Sequence, residues 1–114
     1  MVKIELYKAG KHYKGFVVQG HAGAEEPGKD IVCAAISVLF QTALLGLDAY
    51  VTKELDWKME HGYLECWLPE SLPLAEQEKV AVILGTLELG LGAMKEDYGQ
   101  YFKVCKRRWT GCSK

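Results

Sequence analysis

The sequence predicts an α+β fold in which a mostly antiparallel sheet carries two long helices packed on one face. Three observations support this fold class. Short segments of alternating apolar and polar residues occur in hairpin pairs, one long apolar helix follows each pair, and a last strand ends the chain. The predicted element order is β-β-α-β-β-α-β, and the 114 residues suit a single domain spanning residues 1–114.

The first hairpin is indicated by strict alternation near the start of the chain. Val2, Ile4 and Leu6 fall on one side of a strand over residues 2–7, and the residues between them fall on the other. After a turn, residues 13–19 return as the second strand. Gly20 then permits a bend or a close backbone approach immediately before His21.

A long apolar helix is predicted from Ile31 to about Val51, with Asp30 as its N-cap. It carries no charge from Ile31 to Leu47, and its polar residues there are Ser37, Gln41 and Thr42. These interruptions argue against a membrane span, which needs about twenty apolar residues. We therefore expect a central helix covered on most sides, in part by a second subunit.

A second hairpin and helix follow. The strands are predicted over residues 56–60 and 63–68, with His61 as a surface residue in the turn between them. The helix is expected to extend from the punctuation at Pro73 to about residue 98, where Gly99 ends it. Gly85 and Gly92 lie seven residues apart on this helix, which predicts that another element packs closely there. A last strand is expected over residues 101–108.

Composition excludes several classes of function. A net charge of −1 argues against a general electrostatic grip on nucleic acid. The four cysteines form no C-x-x-C pair and no grouping with histidine, so we expect no metal site and no cofactor. The first residues lack the apolar stretch of a signal peptide, which predicts a cytoplasmic protein with reduced thiols.

The candidate site consists of His21 and Cys33, which flank a short polar loop over residues 22–29. With Asp30 as the cap, Cys33 would lie in the first helical turn, where unpaired N–H groups and the helix dipole stabilise a thiolate. The same N–H groups could hold an oxyanion, and His21 is the nearby side chain suited to act as the base.

Three further features of this segment each have two interpretations. Asp30 is either a plain N-cap or the carboxylate that orients His21. Ser37, one turn after Cys33, either donates a hydrogen bond to the site or is an ordinary helix-interior serine. The loop, with Ala22, Gly23 and Gly28, is either a disordered connection or a lid that orders over an extended peptide.

The motif around these residues resembles the ribosomal-processing cysteine protease family, Prp. The resemblance rests on Gly20-His21-Ala22, a short loop, and Asp30-Ile31-Val32-Cys33-Ala34 with Ser37, and it covers nearly the whole chain. It implies a catalytic pair at His21 and Cys33, with Asp30 and Ser37 as the accompanying acid and serine. It also implies a homodimer that removes the N-terminal extension of a large-subunit ribosomal protein, the twenty-seventh of that series.

The leading hypothesis is therefore a cytosolic cysteine endopeptidase that uses a Cys33–His21 dyad and needs no metal, cofactor, membrane or nucleic acid. A second hypothesis is a noncatalytic ribosome-assembly or RNA-binding module, supported by a basic final strand interleaved with Tyr101, Phe102 and Trp109. A third is a thiol redox or thiol-transfer protein, which ranks last because no resolving cysteine lies near Cys33.

Overall fold

The structure, a computed structural model, describes residues 1–20 and 27–111, and for residues 27–30 the backbone alone. The order of elements is the predicted one, and the fold class is confirmed. The elements are β1 (Val2–Ala9), β2 (His12–Gln19), α1 (Pro27–Tyr50), β3 (Asp56–Glu60), β4 (Tyr63–Trp67), α2 (Leu74–Tyr98) and β5 (Phe102–Arg108).

The strands form one five-stranded mixed sheet in the order β3-β4-β2-β1-β5. Three of the pairings are antiparallel. Tight hairpins join β1 to β2 and β3 to β4, and β2 also pairs antiparallel with β4. The fourth pairing, of β1 with β5, is parallel. Parallel neighbours cannot be joined by a tight hairpin. Here β2, α1, β3, β4 and α2 all lie between β1 and β5 in the chain.

The core lies between the sheet and both helices. Val2, Ile4 and Leu6 of β1 are buried there, with Ile4 completely inaccessible to solvent, as the alternation in the sequence predicts. The ring of Phe16 on β2 meets that of Phe40 on α1 edge-on, with centroids 5.0 Å apart. α2 adds to the same cluster, so both helices cover one face of the sheet. Its buried residues are Val80, Leu84, Leu87 and Leu91.

α1 begins at Pro27, four residues before the predicted start, so the prediction of Asp30 as the N-cap is wrong. Proline suits the first helical position because its missing N–H is one that a first turn leaves unpaired anyway. Gly28, expected in the loop, lies in the helix, and Cys33 is its seventh residue rather than part of the first turn. The helix terminus therefore acts on Cys33 more weakly than predicted, since its effect falls off within one turn.

The segment Ile31–Tyr50 of α1 is long and apolar enough to cross a membrane by length and composition, with a mean hydropathy of 1.9. The core helix of a soluble protein meets the same criterion. In this fold α1 contributes Ile36, Phe40 and Leu47 to the core, each with 1% or less of its surface exposed. Packing against the sheet and α2 accounts for part of its hydropathy, while Val38 and Leu45 remain exposed.

α2 ends as predicted, with the N–H of Gly99 donating to the carbonyl of Lys95. The expected close packing at Gly85 and Gly92 is not found among the described residues of a single copy. A Cβ placed on either glycine would have no described atom within 4 Å. That part of α2 faces open space.

A polar network joins α2 to the sheet near the C-terminal end of β1. Tyr13 on β2 donates from its hydroxyl to Oε1 of Glu88 on α2 at 2.5 Å, and Lys106 on β5 approaches Oε2 at 2.7 Å. Burial alone would raise the pKa of Glu88, but the hydrogen bonds from Lys106 and Tyr13 outweigh it and lower that pKa. Glu88 is therefore held as a carboxylate shared by two strands.

Candidate active site

Cys33 opens into a groove of about 210 Å³ between α1 and the β3–β4 hairpin. The sheet supplies an apolar floor from Val2, Val18 and Leu64, which the strand register places on its helix-covered side. The hairpin supplies a polar rim from Glu60 and His61. The groove therefore combines an apolar floor, a thiol and polar groups at its edge, as small-molecule and peptide sites commonly do.

The groove exists because the sheet extends beyond α1. Trp57 and Met59 pair with Cys66 and Leu64, so they lie on the side of the sheet that the helices cover. They are nevertheless 49% and 45% exposed, because β3 is the edge strand and α1 does not reach across it. This uncovered shelf forms one side of the groove, and α1 forms the other.

The three described thiols lie in different environments. Cys33 is half-buried at the groove, whereas Cys66 on β4 is completely buried beneath the helices. Burial, together with the charges of Asp56 and Glu65, raises the pKa of Cys66 to about 12. Cys105 is half-buried on β5, and its register partner Glu5 places it on the face of the sheet away from the helices. Of these three, Cys33 is the thiol that a ligand in the groove can reach.

Gly20, the residue before His21, also lines this groove. It has φ +99°, and a Cβ there would lie 2.6 Å from the carbonyl oxygen of Met1, so only glycine fits without strain. The predicted close backbone approach at Gly20 is thus confirmed. Its N–H donates to the carbonyl of Gly62 at 3.0 Å, which ties this point of the chain to the β3–β4 turn.

The described residues include some of the predicted site residues but not all of them. Cys33 and Ser37 line the same groove, and the hydroxyl oxygen of Ser37 accepts a hydrogen bond from Nε2 of Gln41 at 2.8 Å. His21, Ala22 and Gly23 lie outside the described residues, as does the side chain of Asp30. The roles assigned to those residues, and to Ser37, remain predictions.

Several residues of the groove were not predicted from the sequence. Gln41 follows Cys33 by two helical repeats of four, and this periodicity was available in the sequence as a signal. Met59, Glu60 and His61 carried no such signal, because their approach to α1 follows from the order of strands in the sheet.

The arrangement at β5 does not match the RNA-binding hypothesis. Phe102 is 5% exposed and belongs to the core, so the interleaved aromatic residues do not share one surface. Trp109 instead packs against Tyr7 and Trp67, with ring centroids 6.4 and 5.3 Å away. Within residues 1–20 and 27–111, no group of three or more histidine, cysteine, aspartate or glutamate side chains could hold a metal ion.

Comparison with known families decides the assignment. The model of the family described as cysteine protease Prp matches residues 1–103. The chain belongs to the cysteine protease Prp family. A curated relative, the ribosomal processing cysteine protease Prp of Bacillus subtilis (strain 168), is 29% identical over 98 residues, which are 82% of this chain and 88% of the relative.

Several solved structures share the fold of this chain. The essential ribosomal processing protease Prp of S. aureus, in complex with a substrate peptide, has a TM-score of 0.78 at 17% identity over 94% of this chain and all of the other. The same enzyme with a covalently linked product peptide has a TM-score of 0.75 at 18% identity, with the same coverage. A protein from Streptococcus mutans gives 0.76 at 24% identity over 96% of both chains.

Membership of the Prp family makes the chain a cysteine protease, as the motif predicted. The noncatalytic module is therefore wrong as the account of this chain. The family also excludes the thiol-transfer hypothesis as the primary activity.

Proposed function

We propose that the protein is an endopeptidase that removes the N-terminal extension of a large-subunit ribosomal protein, the twenty-seventh of its series, with Cys33 as the nucleophile. The observation that carries this proposal is the half-buried Cys33 at a groove that Gly20, the residue before His21, also lines. The Bacillus subtilis relative is a ribosomal processing protease, and the S. aureus relative holds a substrate peptide.

The proposed chemistry is acyl transfer through a Cys33–His21 dyad. The His21 imidazole takes the proton of the Cys33 thiol, and the thiolate attacks the scissile carbonyl carbon. The C–N bond then breaks, the imidazolium gives its proton to the leaving amine, and the acyl group remains on Cys33 as a thioester. Water, deprotonated by His21, hydrolyses the thioester and restores the thiol. The reaction needs no metal and no cofactor.

The groove suits an extended, partly apolar peptide. Its floor of Val2, Val18 and Leu64 can bury apolar side chains, which is a favourable contribution to binding of about 25 cal/mol per Å² of apolar surface. Its rim is polar at Glu60 and His61. A peptide bound on this floor would pass beside the Cys33 thiol.

The supporting residues have narrower roles in the proposal. Asp30 is an interior residue of α1 rather than its cap, which favours a role for its carboxylate in orienting His21. The segment with Ala22, Gly23 and Gly28 gates access of the peptide to the groove. Since Gly28 lies within α1, the gating movement would include the first turn of the helix.

The proposal is tested by incubating the protein with the extended ribosomal protein and analysing the products by mass spectrometry. We expect one cleavage that removes the extension, its loss in the Cys33→Ala and His21→Ala variants, and its retention in the Cys105→Ser variant. Cleavage by the Cys33→Ala variant would show that another residue is the nucleophile. Absence of cleavage by the wild-type protein would exclude this substrate.

The functional unit in this proposal is a homodimer formed through the helical layer. Val38 and Leu45 on α1, and Val82 and Leu89 on α2, are 64% to 77% exposed and repeat every seven residues. Large apolar side chains exposed on both helices favour an interaction site on this side of the molecule. Gly85 and Gly92, which face open space, would let a helix of the second copy approach α2 closely.

Sedimentation equilibrium of the wild type and of the Leu45→Glu and Leu89→Glu variants tests the dimer. We expect a dimeric mass for the wild type and a monomeric mass for both variants. The control is Lys103→Glu, which should keep the dimeric mass, because Lys103 pairs in register with Lys3 on the face of the sheet away from the helices. A monomeric wild type would contradict the proposal. We further propose that the enzyme acts in the cytoplasm, where reducing conditions keep Cys33 as a thiol, and localisation of a tagged copy tests this.

A further inference from the structure

Three side chains of α1 form a polar row along the groove. Cys33, Ser37 and Gln41 follow one another at intervals of four residues, and all three line the groove beside its apolar floor. Residues four apart on a helix lie on the same face. The row therefore runs away from Cys33 along one wall of the groove.

The spacing of this row matches an extended peptide. Four residues of an α-helix advance by about 6 Å, and two residues of an extended chain advance by about 6.6 Å. A peptide that lies along α1 with its scissile bond at Cys33 would place its second residue from that bond beside Ser37. Its fourth residue would lie beside Gln41.

The bond between Ser37 and Gln41 leaves both side chains able to bind such a peptide. It uses one N–H of Gln41 and one lone pair of the Ser37 hydroxyl. The Ser37 O–H, the second N–H of Gln41 and the amide oxygen of Gln41 stay available, and both residues are exposed. Because the bond already holds the two side chains together, less conformational entropy is lost when a peptide binds.

The geometry points to Gln41 as a substrate-binding residue that, together with Ser37, hydrogen-bonds the peptide backbone two and four residues from the scissile bond. This inference rests on the proposed function, since it takes the peptide to be the substrate of the Cys33 thiol. It explains why α1 carries polar residues at these two positions of an otherwise apolar groove wall. It also predicts that a peptide must extend at least four residues from the scissile bond to bind with full affinity.

Binding of a synthetic peptide spanning the ribosomal-protein extension and the bond to be cleaved tests the inference without turnover. The Cys33→Ala protein is titrated calorimetrically, alone and with Gln41→Ala, Gln41→Leu or Thr42→Ala added. We expect Kd to rise about tenfold for both Gln41 variants, because Leu keeps the size of the side chain but not its hydrogen bonds. Thr42, exposed and outside the groove lining, is the matched control and should leave Kd unchanged.

Cleavage by proteins that keep Cys33 supplies the second measurement. Gln41→Ala should raise KM by about the same factor and change kcat less than twofold, because the contact is equally present before and during the reaction. The effect should disappear for peptides cut back, at one end, to fewer than four residues from the scissile bond. An effect of Gln41→Ala that persists in peptides shortened at either end would overturn the inference.

The outcomes separate this inference from the proposed function. If the wild type cleaves the peptide but binding does not depend on Gln41, the function stands and the inference is wrong. If the wild type does not cleave the peptide, the proposed function is wrong. A tenfold rise of Kd in the Gln41 variants then still supports Gln41 as a peptide-binding residue, whereas an unchanged Kd overturns the inference as well. If the peptide does not bind the Cys33→Ala protein, the inference is wrong whatever the cleavage assay shows.

Discussion

The two ends of the layer between helices and sheet use polar side chains in opposite ways. At one end, Glu88 accepts a hydrogen bond from Tyr13 and pairs with Lys106, so its carboxylate is fully engaged within the chain. At the groove end, Ser37 and Gln41 bond to each other among the described side chains and keep further donors and acceptors exposed. Satisfied polar groups hold elements together, whereas groups left accessible can bind a ligand.

The largest expected difference separates the thiols of Cys33 and Cys66. Alkylation with iodoacetamide at pH 8 should label Cys33 at least about 10³-fold faster than Cys66. Cys66 is 0% exposed and has its pKa raised to about 12, so only about one molecule in 10⁴ carries that thiolate at pH 8. Peptide mass spectrometry after timed alkylation measures both rates.

Alkylation in concentrated denaturant is the control for that comparison. Unfolding removes the burial of Cys66, so both thiols should then react at similar rates. Fast labelling of Cys66 in the folded protein would show that the sheet opens readily at β4. It would remove the distinction between an accessible groove and a closed core.

Phe40 marks the boundary between the groove and the core, since it lines the groove and also packs edge-on against Phe16. The Phe40→Ala substitution should lower the free energy of unfolding by about 3–5 kcal/mol, because it leaves a cavity at a side chain with no exposed surface. Urea denaturation measures the change. Phe40→Leu should cost about half as much, and a loss below about 1 kcal/mol for Phe40→Ala would indicate that α1 is not a true core helix.

The Glu88→Gln substitution tests the closed end. We expect a loss of about 1 kcal/mol at pH 7, a modest value because the Lys106 side chain is 63% exposed. The folded pKa of Glu88 is lowered, so its contribution is complete above the ordinary value of 4.5 and is lost as the pH falls through the lowered pKa.

Urea denaturation of the wild type and the Glu88→Gln variant across this acidic range measures that dependence. The difference in stability between them should shrink on acidification. A difference that stays constant with pH would assign the effect of the substitution to packing rather than to the charge of Glu88.

The smallest expected effect concerns the ion pair on β3. Lys58 and Glu60 approach to 3.4 Å, but their side chains are 59% and 62% exposed. Solvent-exposed pairs contribute little, so Lys58→Gln should change the free energy of unfolding by less than about 0.5 kcal/mol. Thermal denaturation at low and high salt checks this, and a larger loss would mean that the groove shelf depends on charge.

Much of the fold followed from local patterns. The alternation of Val2, Ile4 and Leu6 identified a strand with one buried face, and Gly99 correctly ended α2. The start of α1 was misjudged because Asp30 is a good cap by residue type, yet the helix starts at Pro27. Capping preference is worth about 1 kcal/mol, which tertiary packing or a longer helix readily outweighs.

The sequence alone determined the order of the strands and helices along the chain, the buried side of β1 and the family motif around Cys33, because each depends on residues close together in the chain. Only the tertiary structure decided the groove. Its floor needs β1, β2 and β4 side by side, and its rim needs β3 at the edge of the sheet beyond the reach of α1. Strand order depends on the packing of distant segments, which no local pattern encodes.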